Sequence, residues 1–232
     1  NDVTWVASAM GDVEREIGRL IAAQCAPSMK RLVMELGGQA PLIIFADADI
    51  DQAVCIAMDA KFATSGQDCL AANRIYVERS ILPEFSAKFA ARIKTLQVGE
   101  GLDPTTTIGP LMHRRALAKV VAQVEDAKAR GGRVLVGGST HSEMAHAFQP
   151  TLIVDAPHDA LIHQEETFGP VASLIPFDTE AEAISLANAT EYGLVAYVVT
   201  RDGARMMRLS RALEFGMVAI NRVKITGGPI PF

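Results

Sequence analysis

The stretch PLIIFADADIDQAVCIAMDAKFAT, Pro41 to Thr64, decides how this chain folds. PLIIFA is a short β-rich run of the length of a buried strand. The residues after it have helical spacing and open with Asp47, Asp49 and Asp51, where carboxylates complement a helix dipole. RIYVER, Arg74 to Arg79, then reads as a second strand. Strand, helix and strand in that order imply parallel pairing through a right-handed crossover.

Outward from this unit the alternation continues. LPEFSAKFAARIKTL, Leu82 to Leu96, is an amphipathic helix opened by proline, and a Gly/Pro/Thr loop follows it. A long helix is expected from Leu111 to Arg130, ending at Gly131-Gly132 before the strand RVLVGG. QPTLIVD and VASLIPF read as strands, and DTEAEAISLANAT, AYVVT, DGARMMRLSRAL and GMVAIN complete a helix, strand, helix, strand series. On the N-terminal side, REIGRLIAAQCAPSMKR is helical up to about Pro27, while the first fifteen residues show no clear period. The expectation is a layered α/β fold with a parallel sheet.

Composition narrows the functional classes. The chain has 232 residues, 49% of them hydrophobic and 21% charged, as expected for an α/β protein with a sizeable core. A net charge of −5 and the lack of a basic run argue against a nucleic-acid surface. No apolar run reaches membrane-spanning length, and three cysteines without framework spacing suggest free thiols in a reducing, cytoplasmic-type compartment. No His/Cys/Asp cluster has metal-ligand spacing. The five histidines, His163 among them, read as surface or turn residues, and the nine methionines as core filler.

Three motifs carry possible chemistry. SGQDCLAANR, Ser65 to Arg74, sets Cys69 among small and polar residues after a glycine, whereas Cys25 and Cys55 sit in helical runs suited to a buried thiol. A reactive thiol needs access and a partner for the thiolate, which backbone N–H groups at such a turn could supply, with LAANR opening or flanking a helix. MELGGQAP, Met34 to Pro41, places Glu35 between apolar neighbours and a glycine pair, a setting for a general base. QEETFGP, Gln164 to Pro170, joins two acids, an aromatic ring and a Gly-Pro turn that could clamp a planar ligand. Taken singly, each motif is better explained by a turn cysteine, a solvated strand-end acid or a plain β-turn than by chemistry.

Together, in this order and spacing, the three motifs resemble those of the NAD(P)-dependent aldehyde dehydrogenase superfamily, with APLIIFADADID, ANRIYV, GLDPTTTIGPL, YGLVAYVVT and GMVAIN extending the likeness from about Gly18 to Phe232. The resemblance implies oxidation of an aldehyde to an acid with NAD or NADP. Cys69 would be the nucleophile, forming a thiohemiacetal and then a thioester. Glu35 would be the general base, Glu166 the ligand of the nicotinamide ribose, and Phe168 the neighbour of the ring. Asn73 and Arg74 are taken as structural. Gly18 matches the last glycine of the family's phosphate-cradling segment, but Val13 and Glu14 replace its first glycine and serine, and an acid there repels a pyrophosphate.

The resemblance also implies boundaries. Residues 1–34 would be the end of a dinucleotide-binding domain, and residues 35–232 a catalytic thiol domain cut short at GGPIPF. The longer enzyme would form a homo-dimer or homo-tetramer, with no nucleic-acid or membrane partner. The likeness is greatest to the semialdehyde-oxidising branch. Yet Ala63 stands where succinic semialdehyde enzymes tend to carry an arginine, and Ala71 where many have a second cysteine. A neutral aliphatic or aromatic aldehyde against Phe62, Leu70 and Ile225 fits at least as well. Two other functions are open to such a chain: a non-catalytic module that assembles with a partner, and cofactor-independent ester or thioester hydrolysis by Cys69.

Overall fold

In the computed structural model the described residues are 4–6, 12–223 and 225. The opening strand, helix and strand are β3 (Ala40–Ile44), α2 (Ile50–Phe62) and β4 (Ala72–Glu78). β3 and β4 pair in parallel, with Leu42 opposite Ile75 and Ile43 opposite Tyr76. Asp49 caps α2 by accepting the Gln52 N–H at 3.0 Å, so the acidic start marks the helix entry.

These strands lie at the centre of a seven-stranded sheet. With β5 (Arg133–Val136), β6 (Thr151–Val154), β7 (Val171–Phe177), β8 (Val195–Val199) and β9 (Met217–Ile220), its order is β5-β6-β7-β4-β3-β8-β9. All pairings in it are parallel except β5 with β6. That pair departs from the expected all-parallel sheet because its connection holds no crossover helix. Gly137 and Gly138, both at positive φ, turn the chain, and a Thr140–Phe148 bridge extends the antiparallel return. β3 and β8 are buried at every residue, as strands covered on both faces must be.

Alternate side chains feed two opposite cores. Leu42, Ile44, Ile75 and Val77 meet α2 and α3 (Leu82–Ile93) through Val54, Phe62, Phe85 and Phe89. Ile43, Phe45, Tyr76 and Phe177 meet α6 (Glu180–Asn188) and α7 (Gly203–Ala212) through Ala183, Ala187 and Leu209. A third cluster lies under α4 (Arg114–Ala129) and α5 (Leu161–Gln164), around Val120, Val124, Ile153 and Ile162. α4 starts three residues later than its periodicity suggests, because the His113 ring caps it through the Ala116 N–H.

Before this sheet, α1 (Asp12–Cys25) ends where Pro27 begins a 3-10 turn. β1 (Thr4–Val6) and β2 (Leu32–Met34) form a separate parallel pair, which the first residues gave no period to reveal. GGPIPF lies outside the described residues. Several expectations from the sequence fail. LAANR opens no helix, since Ala72 already begins β4. Cys55 is exposed on α2 rather than packed, and Met29, Met112 and Met207 are exposed rather than core filler. His163 is buried, not a surface residue: its Nδ1 meets the Pro157 carbonyl at 2.9 Å and its Nε2 the Ser173 hydroxyl at 2.8 Å.

Candidate functional site

Cys69 follows a strained turn. After α2 the backbone runs through Thr64, Ser65 and Gly66 at φ of 52°, 59° and 69°, a left-handed succession that two non-glycine residues hold only under external constraint. The constraints are hydrogen bonds to the loop before α4. The Ser65 hydroxyl accepts the Gly109 N–H at 2.9 Å, and the Gln67 amide accepts the Met112 N–H at 2.8 Å and donates to the Pro110 carbonyl at 3.2 Å. Gly66 presses on the QEETFGP turn so closely that a Cβ would lie 2.3 Å from the Gly169 oxygen. Beyond Gln67, the Asp68 carboxylate accepts the Leu70 N–H at 2.9 Å, and the Tyr197 hydroxyl donates to the Leu70 carbonyl at 2.8 Å. Cys69 sits half-buried between these anchors.

Glu35 reaches the site from the end of β2. It is half-buried and lines a cavity of about 230 Å³ with Leu36, Tyr192 and Leu194. Gly38, next along, is where the three motifs meet. A Cβ on it would lie 2.0 Å from the Cys69 carbonyl oxygen, so only glycine lets the two backbones approach. Its N–H donates to Glu166 Oε1 at 2.9 Å, and its carbonyl faces the Asn73 side-chain amide at 3.4 Å. Gln39 ties the same segment to the Glu165 carbonyl at 2.8 Å. Arg74 closes the arrangement from β4, donating to the Gln39 carbonyl at 2.9 Å and the Ala187 carbonyl at 2.9 Å, a structural role for a buried guanidinium.

Electrostatics at the sulfur run opposite to the expected thiolate stabilisation. The Cys69 pKa is pushed up to about 12, first by burial, then by the negative charges of Asp68, Glu166 and Glu35 and a hydrogen bond to Asp68. No helix N-terminus begins at the sulfur to offset these effects, because the loop leaves the C-terminal end of α2 and enters a strand. A thiol in this setting adds to an electrophile only after its proton has moved to a base.

One residue of the cluster gave no motif. Lys61 is 0% exposed and donates from Nζ to Asn73 Oδ1 at 2.7 Å. Burial pulls its pKa down to about 7, against the attraction of Glu166, with Lys119 adding to the fall. The run that holds it, CIAMDAKF, also carries the acid Asp59, so nothing in the sequence marks this lysine as buried.

The other expected residues fall as follows. Glu166 is 1% exposed, directed at Gly38, and Phe168 is half-buried at φ 51° on the same turn. Gly18 lies within α1 rather than at its start, and it packs on Leu36, whose Cδ2 would be 3.1 Å from an added Cβ. Its N–H is therefore inside the helix ladder and not offered to a phosphate. Phe62 belongs to the core, against Phe89 at 6.1 Å between centroids, and so is not a lining residue, while Leu70 and Ile225 pack partly buried on that core. Among the described residues no group of acidic, histidine and cysteine side chains could hold a metal, and no helix is long and apolar enough to cross a membrane.

With this arrangement in view, comparison with known proteins gives a class. The chain belongs to the aldehyde dehydrogenase family, whose model matches residues 9–232. It is 46% identical over 217 residues to an NADP-dependent succinate-semialdehyde dehydrogenase of Escherichia coli K12, covering 94% of this chain and 45% of that protein. A glutarate-semialdehyde dehydrogenase of Pseudomonas putida is 45% identical with the same coverage. Among solved structures, an NADP-dependent enzyme of E. coli superposes with a TM-score of 0.89 at 46% identity, over 91% of this chain and 44% of that one. A betaine aldehyde dehydrogenase of Staphylococcus aureus, solved with NAD+, does so with a TM-score of 0.88 at 34% identity, over 97% of this chain and 44% of that one. The chain thus spans about 45% of the length of the curated relatives it matches.

Proposed function

We propose that this chain supplies the thiol chemistry of an enzyme that oxidises an aldehyde to a carboxylic acid with NAD or NADP, with Cys69 as nucleophile and Glu35 as general base. The observation that carries the reading is the convergence at Gly38, where the Cys69 carbonyl, the Glu35 segment and the Glu166 carboxylate meet. Sequence-distant groups held this tightly at one point suit a reaction that needs all three.

Cys69 begins as a thiol and gives its proton to a carboxylate of the site, Glu35 or Asp68. Its sulfur then adds to the aldehyde carbon, and the carbonyl electron pair moves to oxygen. The Cys69 backbone N–H is the group placed to stabilise that oxyanion. After oxidation the acyl group rests on Cys69 as a thioester. Glu35 removes a proton from the water that cleaves it and frees the acid.

A nicotinamide cofactor would take up the hydride of the oxidation. The residues present fit its ribose end: Glu166 is a buried carboxylate beside Lys61, with Gln123 packed on the same turn. Glu166 would hold ribose hydroxyls and Phe168 would flank the ring. Gly18, within its helix, does not fit the phosphate end. The separate β1–β2 pair supports reading residues 1–34 as the end of that other domain and residues 35–232 as the catalytic one. Assembly would be as a homo-dimer or homo-tetramer, in the cytoplasm.

The test uses the full-length protein that carries these residues. Cys69→Ala should abolish NAD(P)H formation from aldehydes with the fold intact by circular dichroism. Glu35→Gln should leave the first burst of NAD(P)H and slow the turnovers after it. A Cys69→Ala variant with full turnover would overturn the nucleophile assignment.

A further inference from the structure

Asp68 controls the charge that a substrate meets at Cys69. It immediately precedes the sulfur, and its carboxylate is pinned by the Leu70 N–H at 2.9 Å within a turn closed by the Ala71 N–H on the Asp68 carbonyl at 2.9 Å. Pinned there, its charge lies on the residue next to the sulfur and raises the pKa of the Cys69 thiol and of the Tyr197 hydroxyl. Glu35 and Glu166 add two more negative charges facing the same sulfur. The cation facing this cluster, Lys61, is fully buried and committed to Asn73, so it cannot extend its ammonium to a ligand in the cavity. Ala63 and Thr64, exposed on the turn before Cys69, are neutral.

We propose that Asp68 is a specificity-determining residue, which makes the Cys69 site disfavour aldehydes bearing a carboxylate and favour neutral or cationic ones. The inference rests on Cys69 being the nucleophile. Its physical basis is additive: attack moves a negative charge from sulfur to the carbonyl oxygen beside a fixed carboxylate. A second anion on the substrate then meets Asp68, Glu35 and Glu166 together in a half-buried, poorly screened site. The relatives named for semialdehydes act on aldehydes that already carry one carboxylate, so this chain would diverge from them in substrate while sharing their chemistry.

Charged thiol reagents test the inference on the full-length protein that carries these residues, with Cys25→Ser and Cys55→Ser in place and the label on Cys69 quantified by peptide mass mapping. Three methanethiosulfonates are compared: a trimethylammonium-ethyl, a methyl and a sulfonato-ethyl compound, each normalised to its rate with free mercaptoethanol. In every case the Cys69 thiolate attacks the outer sulfur, a disulfide forms, and methanesulfinate leaves with the electron pair of the broken S–S bond. The expected order is cationic, then neutral, then anionic. Asp68→Asn should cut the cationic-to-anionic rate ratio by roughly 5- to 30-fold, the effect of one charge several ångströms away at intermediate dielectric. It should also speed the neutral reagent, because the thiol loses a like charge that holds its proton. Asp68→Ser keeps a side-chain acceptor for the Leu70 N–H and should behave alike, which separates charge from turn geometry. A ratio unchanged in both variants overturns the role of Asp68 and leaves Cys69 as the nucleophile. Failure of Cys69 to react with any of the three, while exposed Cys55 reacts in a chain that retains it, overturns the reading of Cys69 on which the proposal rests.

Discussion

Gly38→Ala is the substitution that the geometry of the site makes most exacting. An added Cβ would stand 2.0 Å from the Cys69 carbonyl oxygen, whereas ordinary contact begins at 3.4 Å, so one backbone must retreat by roughly 1.4 Å. Neither can do so freely. Gly38 is tied to Glu166 at 2.9 Å, and Leu70, next to Cys69, is tied to Tyr197 at 2.8 Å and Asp68 at 2.9 Å. Overpacking of this kind costs about 1–3 kcal/mol. In a chain of this size that is a fall in melting temperature of roughly 2–12 °C. The larger effect should be kinetic, since a displacement of about 1 Å at a reacting group costs on the order of a hundredfold in rate. The assay is acylation of Cys69 by p-nitrophenyl acetate, followed by nitrophenolate release and mass mapping, with thermal unfolding in parallel. Gly101→Ala, whose Cβ meets nothing within 4 Å, serves as the control and should change neither. If Gly38→Ala leaves both acylation and melting unchanged, the close approach does not position the cysteine.

Protonation gives further expectations. Alkylation of Cys69 by iodoacetamide should still be rising at pH 10, without the plateau an ordinary thiol reaches, because its pKa lies near 12; a plateau near pH 8 would contradict the electrostatic picture. Lys61 has its folded pKa lowered to about 7 from 10.5, so above pH 7 the unfolded chain binds the extra proton and stability rises with pH. Urea unfolding between pH 7 and 9 should show that rise, and Lys61→Met should flatten it; above pH 9 the raised Cys69 pKa offsets the rise, and stability falls with pH only once Lys61 no longer titrates, above about 10.5. His163, lowered to about 4 from 6.5, must lose stability for the fold as pH falls from 6.5 towards 4, since the unfolded state takes the proton first. His163→Gln should remove part of that acid sensitivity, and equal acid midpoints for the two proteins would show that the ring is not held neutral.

Much of this architecture is legible in the chain because local signals and burial agree. PLIIFA and AYVVT have no polar alternation since both faces of β3 and β8 are covered, and Asp49, Thr179 and Asp202 announce the helices they cap. The β1–β2 pair was hidden because two three-residue strands leave no period to read. The antiparallel β5 was hidden because strand direction depends on the connection and not on the strand's own residues. At the site, Cys69, Glu35 and Glu166 could be picked out by motif. Lys61 could not, since a lysine in a helix reads as a solvated face until the packing shows Asn73 as its partner. The charge state of Cys69 was misjudged for a similar reason. A turn after a glycine suggests free N–H groups, but burial first, and then the carboxylates of neighbouring Asp68 and sequence-distant Glu166 and Glu35, hold the proton on the sulfur.

Where the site lies in the sheet accounts for both its rigidity and its charge. Open parallel sheets usually bind ligands beyond the carboxyl ends of their strands, close to helix N-termini that favour anions. Here Glu35, Cys69 and Glu166 each come just before a strand, β3, β4 and β7, so the site lies at the amino ends, where helices arrive with their C-termini. A C-terminus carries partial negative charge and gives no help to a thiolate. In exchange, each functional residue is followed within a few positions by ladder hydrogen bonds of the central strands, which clamp it from one side. The parallel pairing of β3 with β4 and of β4 with β7 sets the three approaches side by side, and Gly38 removes the last side chain between them. The arrangement exchanges electrostatic ease of ionisation for precise placement. A thiol held protonated until a base takes its proton is the consequence of that placement.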